Sequence, residues 1–314
     1  MCDHTAPDTL RQKIFRFTGS RPRLSGYLGA VLATFIWSGN FIAGRVLKET
    51  ATPSILTFWR CMLAALILLP FALPGLKREW PVVRANIKFF ILLSILGISI
   101  PNIFIYSAAR YSQTLNLSIL ALSVPLFVII LARIFLGEHL SLPRVFGLAV
   151  TIIGILLLLS KGDINLLMNL RFERGDLLIF GNTIPFAVYT LMLRKMPKGI
   201  RGTTFMLVFL FLGAVFVIPP LLWELCTDGY MLFSFELAGW LLYVSLGASI
   251  LGYAFWNLGV AKIGSARTSI IYYLIPVFCG IEGILLLNEP VLSVHVISMA
   301  LIIAGTFLAI NAKK

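Results

Sequence analysis

Two charged side chains, Arg60 and Glu282, stand inside long apolar runs of the sequence. Charge inside a bilayer is costly, so such groups face a protein interior and mark substrate or ion paths. At 1.5 Å per helical residue, each lies roughly 10 Å from the outer end of its predicted helix, so we pair them. Arg60 could receive an anionic or zwitterionic substrate group, and Glu282 could compete for it or carry a proton. A static ion pair that fixes helix packing is the alternative.

Amide and phenol groups recur at helical spacing in both halves of the chain. Asn102 and Tyr106 are four residues apart and share a helix face, and Tyr253 and Asn257 repeat that spacing in reverse order. A second pair of equivalent positions is occupied by Asn40 and Tyr189. These groups could line a path on both sides of a central site, or they could bond neighbouring helices.

Aromatic side chains accompany these polar groups. Trp37 and Trp256 lie deeper than the membrane interface, which favours a pocket that stacks on an aromatic or amphipathic substrate, and Tyr272 is a further candidate. Interfacial anchoring is the common alternative for tryptophan and tyrosine.

Helix ends and breaks supply the remaining candidates. Glu138 and Glu289 fall at predicted helix ends, where a carboxylate can cap backbone N–H groups or close a gate. Pro125 and Pro276 interrupt the backbone ladder and are expected to kink the fourth and ninth helices, as hinges or as fixed shape.

The motifs of several other chemistries are missing from the sequence. It contains no GxxxxGK[ST] phosphate loop, no HExxH and no GxSxG, and its histidines at 4, 139 and 295 are isolated. We therefore expect no enzyme, no metal and no cofactor. Transport would then draw on an ion gradient or on the gradient of the substrate, with Glu282 as the candidate for proton coupling.

The amino-acid composition indicates a protein whose surface faces membrane lipid. Of its 314 residues 59% are hydrophobic and 12% charged, against about 25% charged in typical soluble domains. The mean hydropathy is +0.95. The net charge of +13 does not indicate nucleic-acid binding, because the basic residues lie in short clusters between apolar runs.

Ten apolar runs of near-spanning length predict an all-α polytopic membrane protein with ten transmembrane helices. They are Ser25–Leu47, Pro53–Leu73, Lys88–Ala109, Leu115–Gly137, Pro143–Ser160, Asp176–Lys195, Thr203–Trp223, Leu237–Ala261, Thr268–Asn288 and Val291–Asn311. With the N-terminus inside, cytoplasmic segments hold 18 basic residues and the opposite side holds 6, so both termini should be cytoplasmic.

The two halves of the chain are copies of each other. A shift of 151 residues places Pro125 on Pro276 and Glu138 on Glu289, and a shift of 149 serves near the start of each half. Residues 1–24 are then a basic cytoplasmic tail, and 25–160 and 175–311 are two five-helix repeats. An odd number of spans inverts one repeat relative to the other, an architecture typical of transporters that work by alternating access.

The first helix reads AVLATFIWSGNFIAGRVLK, the second carries TFWRCMLAALILL, and the fourth and ninth end in LGE and LNE. This pattern resembles the EamA-type proteins of the drug/metabolite transporter superfamily over nearly the whole chain beyond the tail. The matching residues are Trp37, Gly39, Asn40 and Arg60, with the Pro-to-Glu segments. The second repeat departs from the first, since Phe186 replaces Trp37 and its second helix lacks an Arg60 counterpart.

The resemblance implies a secondary transporter in a bacterial inner membrane that exports amino acids or related small metabolites. Its partners would be the small-molecule substrate, membrane lipid and protons, without nucleic acid, and one chain would suffice. A nucleotide-sugar or sugar-phosphate carrier of similar fold is the nearest alternative, although it would want more basic residues than Arg60 in the cavity. An intramembrane enzyme and a non-transporting scaffold or sensor are the alternatives from other classes.

Overall fold

The computed structural model of the protein describes residues 22–111, 122–137, 141–160, 162–163, 165, 174–227, 229–287 and 293–311. Within them the chain is helical, and the extended pairing is limited to one antiparallel bridge between Ala51 and Met231. The helices are α1 Pro22–Leu47, α2 Pro53–Ala85, α3 Ile87–Tyr111, α4 Val124–Leu136, α5 Leu142–Ser160, α6 Arg174–Met192, α7 Gly202–Cys226, α8 Phe235–Ile263, α9 265–287 and α10 Ser293–Asn311.

Seven of these helices are long and apolar enough to cross a membrane, namely α1, α2, α3, α6, α7, α8 and α10. The described parts of α4 and α5 are shorter and also apolar. The predicted class, an all-α protein with several membrane-spanning helices, is confirmed in this form. The number of ten spans and the cytoplasmic position of both termini remain predictions.

Helix α2 extends well beyond its predicted end. Thr52 is extended and Pro53 opens the first turn, where proline needs no amide partner. The helix then passes through Pro70, Pro74 and Pro81 to Ala85, whereas the sequence predicted an end at Leu73. The predicted end was wrong because the apolar run stops at Leu73, before a segment with proline, glycine and charge, although a helix tolerates prolines where the freed carbonyls find other partners.

The two repeat prolines occupy the starts of α-helical segments. The described helix α4 begins at Val124 with Pro125 in its first turn, after a turn at 122–123. The earlier part of the predicted fourth helix lies outside the described residues, so the kink at Pro125 stays a prediction. In α9, a 3-10 turn at Tyr272–Leu274 precedes the α-helix Ile275–Leu287, and Pro276 lies just after that break. The break precedes Pro276, and a kink or hinge at that residue stays a prediction.

Widened π turns interrupt α3 and α8 at equivalent places in the two repeats. They cover Ile95–Ser99 in α3 and Val244–Gly252 in α8. A π turn displaces carbonyls from the regular ladder and offers them to side chains. The Tyr253 hydroxyl donates to the Gly97 carbonyl at 2.5 Å, and Trp37 Nε1 donates to the Ala248 carbonyl at 3.0 Å.

The most extensive helix pairs all join one repeat to the other: α5 with α10, α2 with α7, α1 with α8, and α3 with α6. In the α5–α10 pair the backbones approach closely at glycine. A Cβ added to Gly147 would lie 2.5 Å from the Ala309 amide nitrogen. Small residues of this kind permit tight helix contact within lipid. The repeats are therefore interlaced rather than side by side.

Helices α2 and α7 cap each other at opposite ends. The Glu224 carboxylate, near the end of α7, accepts from the Ser54 amide at 3.0 and 3.1 Å and from the Ser54 hydroxyl at 2.7 Å, at the start of α2. Near the end of α2, the Glu79 carboxylate accepts from the Arg201 amide at 2.9 Å, just before α7. Each negative charge thus stands at the positive end of the other helix dipole.

Candidate functional site

Arg60 lies at the centre of a buried polar cluster. Its side chain is 1% exposed. Nη1 donates to Asn40 Oδ1 at 3.0 Å, Asn102 Oδ1 at 2.9 Å and the Tyr106 hydroxyl at 2.6 Å, while Nε donates to Ser249 Oγ at 2.9 Å. We call these five residues the Arg60 cluster.

The positive charge of the Arg60 cluster meets only neutral acceptors. All four hydrogen bonds of the guanidinium group end on amide or hydroxyl oxygens, and they use Nε and Nη1 but not Nη2. No carboxylate pairs with Arg60 in the part of the chain that the structure describes. Because a buried charge is normally neutralised by a counter-ion, this site has the character of an anion receptor.

The widened turns position this cluster. Ser249 lies in the π turn of α8, and its hydroxyl bridges the Val244 carbonyl at 2.8 Å to Arg60. Asn102 follows the π turn of α3 and anchors its Nδ2 on the Ile98 carbonyl at 2.8 Å. Local backbone chemistry thus fixes the oxygens that face the guanidinium group.

An aromatic wall adjoins the cluster. Trp37 packs edge-on against Phe186 and Tyr253, with ring centroids 5.7 and 5.3 Å apart. Its ring also lies 5.2 Å from Trp256 and 6.3 Å from Tyr272. Trp37 and Phe186 occupy equivalent positions in the two repeats and meet face to edge, so this contact joins the halves of the molecule.

The positions equivalent to the Arg60 cluster form a second, largely apolar group. Phe209 stands where Arg60 stands in the first repeat, and its ring stacks on Tyr189 and meets Tyr253 edge-on, both at 5.3 Å. The Tyr189 hydroxyl donates to Asn257 Oδ1 at 2.7 Å. We call Tyr189, Phe209, Tyr253 and Asn257 the Phe209 cluster.

A small cavity lies between Arg60 and the aromatic wall. Its volume of about 40 Å³ holds a few water molecules, so a metabolite would require the helices to part. The lining residues are Trp37, Asn40, Phe41, Arg60, Pro101, Asn102, Ile105, Val124, Asn182, Phe186, Tyr253 and Tyr272.

Glu282 does not pair with Arg60, which corrects the expectation from the sequence. Its Oε1 accepts from the Ser38 hydroxyl at 2.8 Å, and its Oε2 has no hydrogen-bond partner. Depth along two helices was a poor guide here, because equal depth says nothing about the face on which each side chain lies. The half-buried carboxyl group faces α1 from α9, where the Cys279 thiol contacts the Ser38 carbonyl at 3.8 Å.

The structure brings most of the predicted path residues together. Those on the cavity wall are Trp37, Asn40, Arg60, Asn102, Tyr253 and Tyr272, and Tyr106 reaches them through Arg60. Tyr189, Trp256 and Asn257 pack beside the cavity rather than on it. Glu138 and Glu289 lie outside the described residues. Their roles in transport stay predictions.

Several residues of the site were not predicted, and Ser249, Asn182 and Phe186 are the most informative of them. Serine is common in membrane helices, so its type alone carried no signal. Asn182 has alanine at its equivalent position in the first repeat, and comparison of the repeats therefore passed over it. Phe186 was noted only as the replacement for Trp37, although that equivalence could have placed it on the wall.

Interlaced apolar helices around a small cavity with a buried arginine in its wall define a polytopic membrane protein. The sequence model of the EamA-like transporter family matches the chain twice, at residues 24–160 and 173–311. The chain belongs to this family, and it is an integral membrane protein of the transporter class.

Relatives by sequence carry names of the same class. An uncharacterized transporter YyaM of Bacillus subtilis is 29% identical over 82% of this chain and 84% of its own length. A probable terminal-alkyne amino-acid exporter of Streptantibioticus cattleyicolor is 23% identical over 88% and 91%. A probable amino-acid metabolite efflux pump of Salmonella typhimurium is 24% identical over 91% and 94%.

A crystal structure shares the fold. It superposes with a TM-score of 0.73 at 17% identity, covering 92% of this chain and 96% of the other.

Proposed function

We propose that the protein is a secondary transporter that exports small organic metabolites bearing a carboxylate, such as amino acids, by alternating access. The observation that carries this proposal is the buried Arg60, which has neutral partners only. A carboxylate entering the cavity supplies the missing counter-charge and can take a charge-assisted bond from the unused Nη2. Relatives named as exporters of amino acids or their metabolites support the substrate class.

Alternating access is supported by the internal repeat. In this proposal ten helices span the membrane as two inverted five-helix repeats, with both termini in the cytoplasm. The interlaced helix pairs and the equivalent π turns of α3 and α8 fit two halves that exchange conformations. Since both halves are in one chain, a monomer in a bacterial inner membrane is sufficient for transport.

The alternative of a sugar-phosphate or nucleotide-sugar carrier receives less support. A phosphate-bearing substrate favours several basic groups. Arg60 is the sole basic residue among the described residues that line the cavity. An intramembrane enzyme, or a scaffold that does not transport, receives no support from membership of a transporter family.

Counterflow in proteoliposomes tests the proposal. Vesicles are loaded with a mixed pool of unlabelled amino acids and related carboxylates, and uptake of the labelled compounds is followed. We expect exchange with the wild type, loss of exchange with Arg60→Gln, and partial retention with Arg60→Lys, which keeps the charge but not the planar fork. Wild-type exchange that Arg60→Gln leaves unchanged would contradict the proposal.

Coupling to protons is proposed to pass through Glu282. Its Oε2 has no hydrogen-bond partner, so the group can gain or lose a proton without breaking a second bond. We expect Glu282→Gln to abolish substrate movement driven by an imposed pH gradient and to preserve counterflow. Ser38→Ala, which removes only the bond to Oε1, is the matched control and should keep the driven transport. If Glu282→Gln is driven as well as the wild type, the protein is a facilitator or uses another group.

A further inference from the structure

We propose that Asn182 is a second substrate-binding residue, whose amide oxygen accepts the ammonium group of a zwitterionic amino acid while Arg60 holds the carboxylate. This inference rests on the proposed function and narrows its substrate class to α-amino acids with an apolar or aromatic side chain. Neither the predicted path nor the repeat symmetry assigns Asn182 a role.

The first observation is an unused buried amide. Asn182 lies in α6, is 6% exposed, and lines the same cavity as Arg60. Its Oδ1 is buried without a hydrogen-bond partner. An unsatisfied buried acceptor is unfavourable, so a native structure that keeps one calls for an explanation. A ligand that donates to it in the loaded cavity supplies that explanation.

The second observation is the contrast between Asn182 and the other asparagines at the site. Asn40 and Asn102 each spend their Oδ1 on the Arg60 guanidinium group, at 3.0 and 2.9 Å. Those two oxygens are committed to the protein, whereas the oxygen of Asn182 is not. Among the described residues, the cavity wall therefore holds one cation without a counter-ion and, on Asn182, one amide oxygen without a partner, which together match the two charged groups of an amino acid.

The third observation is that Asn182 and Arg60 share one cavity with an aromatic wall. Because both line one small cavity, a single small molecule can contact both. The rings of Trp37, Phe186 and Tyr272 complete the wall, and they favour an apolar or aromatic side chain and a cation near a ring face.

The test uses the purified full chain and three probes that differ only in charged groups. L-Phenylalanine carries both groups, 3-phenylpropionate only the carboxylate, and 2-phenylethylamine only the ammonium. Dissociation constants are measured by calorimetry. We expect the wild type to bind phenylalanine at least about tenfold more tightly than either single-group probe, as a hydrogen bond to a charged group allows.

Variants assign that preference to its residue. Asn182→Leu should weaken phenylalanine binding about tenfold, to the level of 3-phenylpropionate, whose own affinity stays within about twofold of the wild type. Asn182→Gln keeps an amide acceptor without adding a charge and should retain the preference for the amino acid. Thr183→Val is the matched control. It removes a hydroxyl from the same turn of α6 that bonds the Ile179 carbonyl and Ser123 rather than the cavity, and it should leave both affinities unchanged.

The outcomes separate this inference from the proposed function. If the wild type binds phenylalanine no better than 3-phenylpropionate, or if Asn182→Leu weakens both probes equally, the role of Asn182 is overturned. Binding of 3-phenylpropionate that Arg60→Gln abolishes would still support the anion site in either case. If Arg60→Gln changes the affinity for neither phenylalanine nor 3-phenylpropionate, the anion site itself is overturned.

Discussion

The Arg60 cluster and the Phe209 cluster occupy equivalent positions in the two repeats but differ in chemistry. Asn40, Arg60, Asn102 and Tyr106 correspond to Tyr189, Phe209, Tyr253 and Asn257. In the first group, oxygen acceptors surround the Arg60 cation. In the second group, aromatic rings stack, and the Asn257 amide oxygen accepts a hydrogen bond from the Tyr189 hydroxyl. The equivalent positions therefore hold a cation with oxygen acceptors in one repeat and stacked rings in the other, and we expect the first group to act in binding and the second in packing. Substitutions in the two clusters should therefore affect different properties.

Phe209→Ala is expected to have the largest effect on folding. It removes a fully buried ring that stacks on Tyr189 and Phe205, so the free energy of unfolding should fall by about 3–5 kcal/mol. Denaturant unfolding in detergent measures this loss. Counterflow per folded molecule should stay within about twofold, and a collapse of transport in folded protein would remove the distinction between the clusters.

Arg60→Phe copies the second cluster into the first and should act on transport instead. Losing one partner of a buried charge pair costs about 2–5 kcal/mol, so counterflow of carboxylate substrates should fall at least about thirtyfold. The unfolding free energy should fall by only about 1–3 kcal/mol, because the buried charge is removed but the Asn102 amide oxygen loses its donor. Tyr106 retains its bond to Asn40 Oδ1 at 3.0 Å in this variant. A variant that is strongly destabilised but keeps wild-type counterflow per folded molecule would make Arg60 a structural residue.

Tyr106→Phe is expected to have an intermediate effect, and it acts on ligand affinity in the Arg60 cluster. The hydroxyl accepts from Arg60 at 2.6 Å, and a hydrogen bond to a charged group contributes about 1.5–3 kcal/mol. We expect a rise of about tenfold or more in the Kd for 3-phenylpropionate, measured by calorimetry, because the guanidinium group is less firmly oriented. An unchanged Kd would show that Asn40 and Asn102 orient it alone.

Tyr189→Phe is expected to have the smallest effect. It deletes one neutral bond, from the hydroxyl to Asn257 Oδ1 at 2.7 Å, and keeps the ring stacked on Phe209. The unfolding free energy should fall by about 1 kcal/mol, and ligand affinity should not change. A loss of affinity as large as that of Tyr106→Phe would place the Phe209 cluster on the substrate path.

The sequence predicted the cluster better than it predicted the partners within it. Helical spacing and the internal repeat identified Asn40, Asn102 and Tyr106. A shared helix face and an equivalent repeat position both follow from residue spacing along the sequence. The pairing of Arg60 with Glu282 was wrong because packing sets the rotation of each helix about its axis. The pattern of apolar residues in the sequence does not determine that rotation.

Backbone irregularities explain the other differences between sequence and structure. The π turns that place Ser249 and Asn102 change the angular position of every residue after them, so a regular helical wheel cannot predict which side chains meet. The length of α2 was missed because its apolar run ends at Leu73, whereas the helix continues through the proline-containing and charged segment to Ala85.

The interlacing of the repeats has a consequence for synthesis on the ribosome. When residues 25–160 have entered the membrane, the partners of α1, α2, α3 and α5 have not yet been made. During that interval Arg60 lacks its Ser249 acceptor and the glycine face of α5 lacks α10. The first half must then wait as a loosely packed set of helices, open to lipid and to other nascent chains. For the same reason, two half-chains expressed separately should be able to associate, because the most extensive helix interfaces lie between the two repeats.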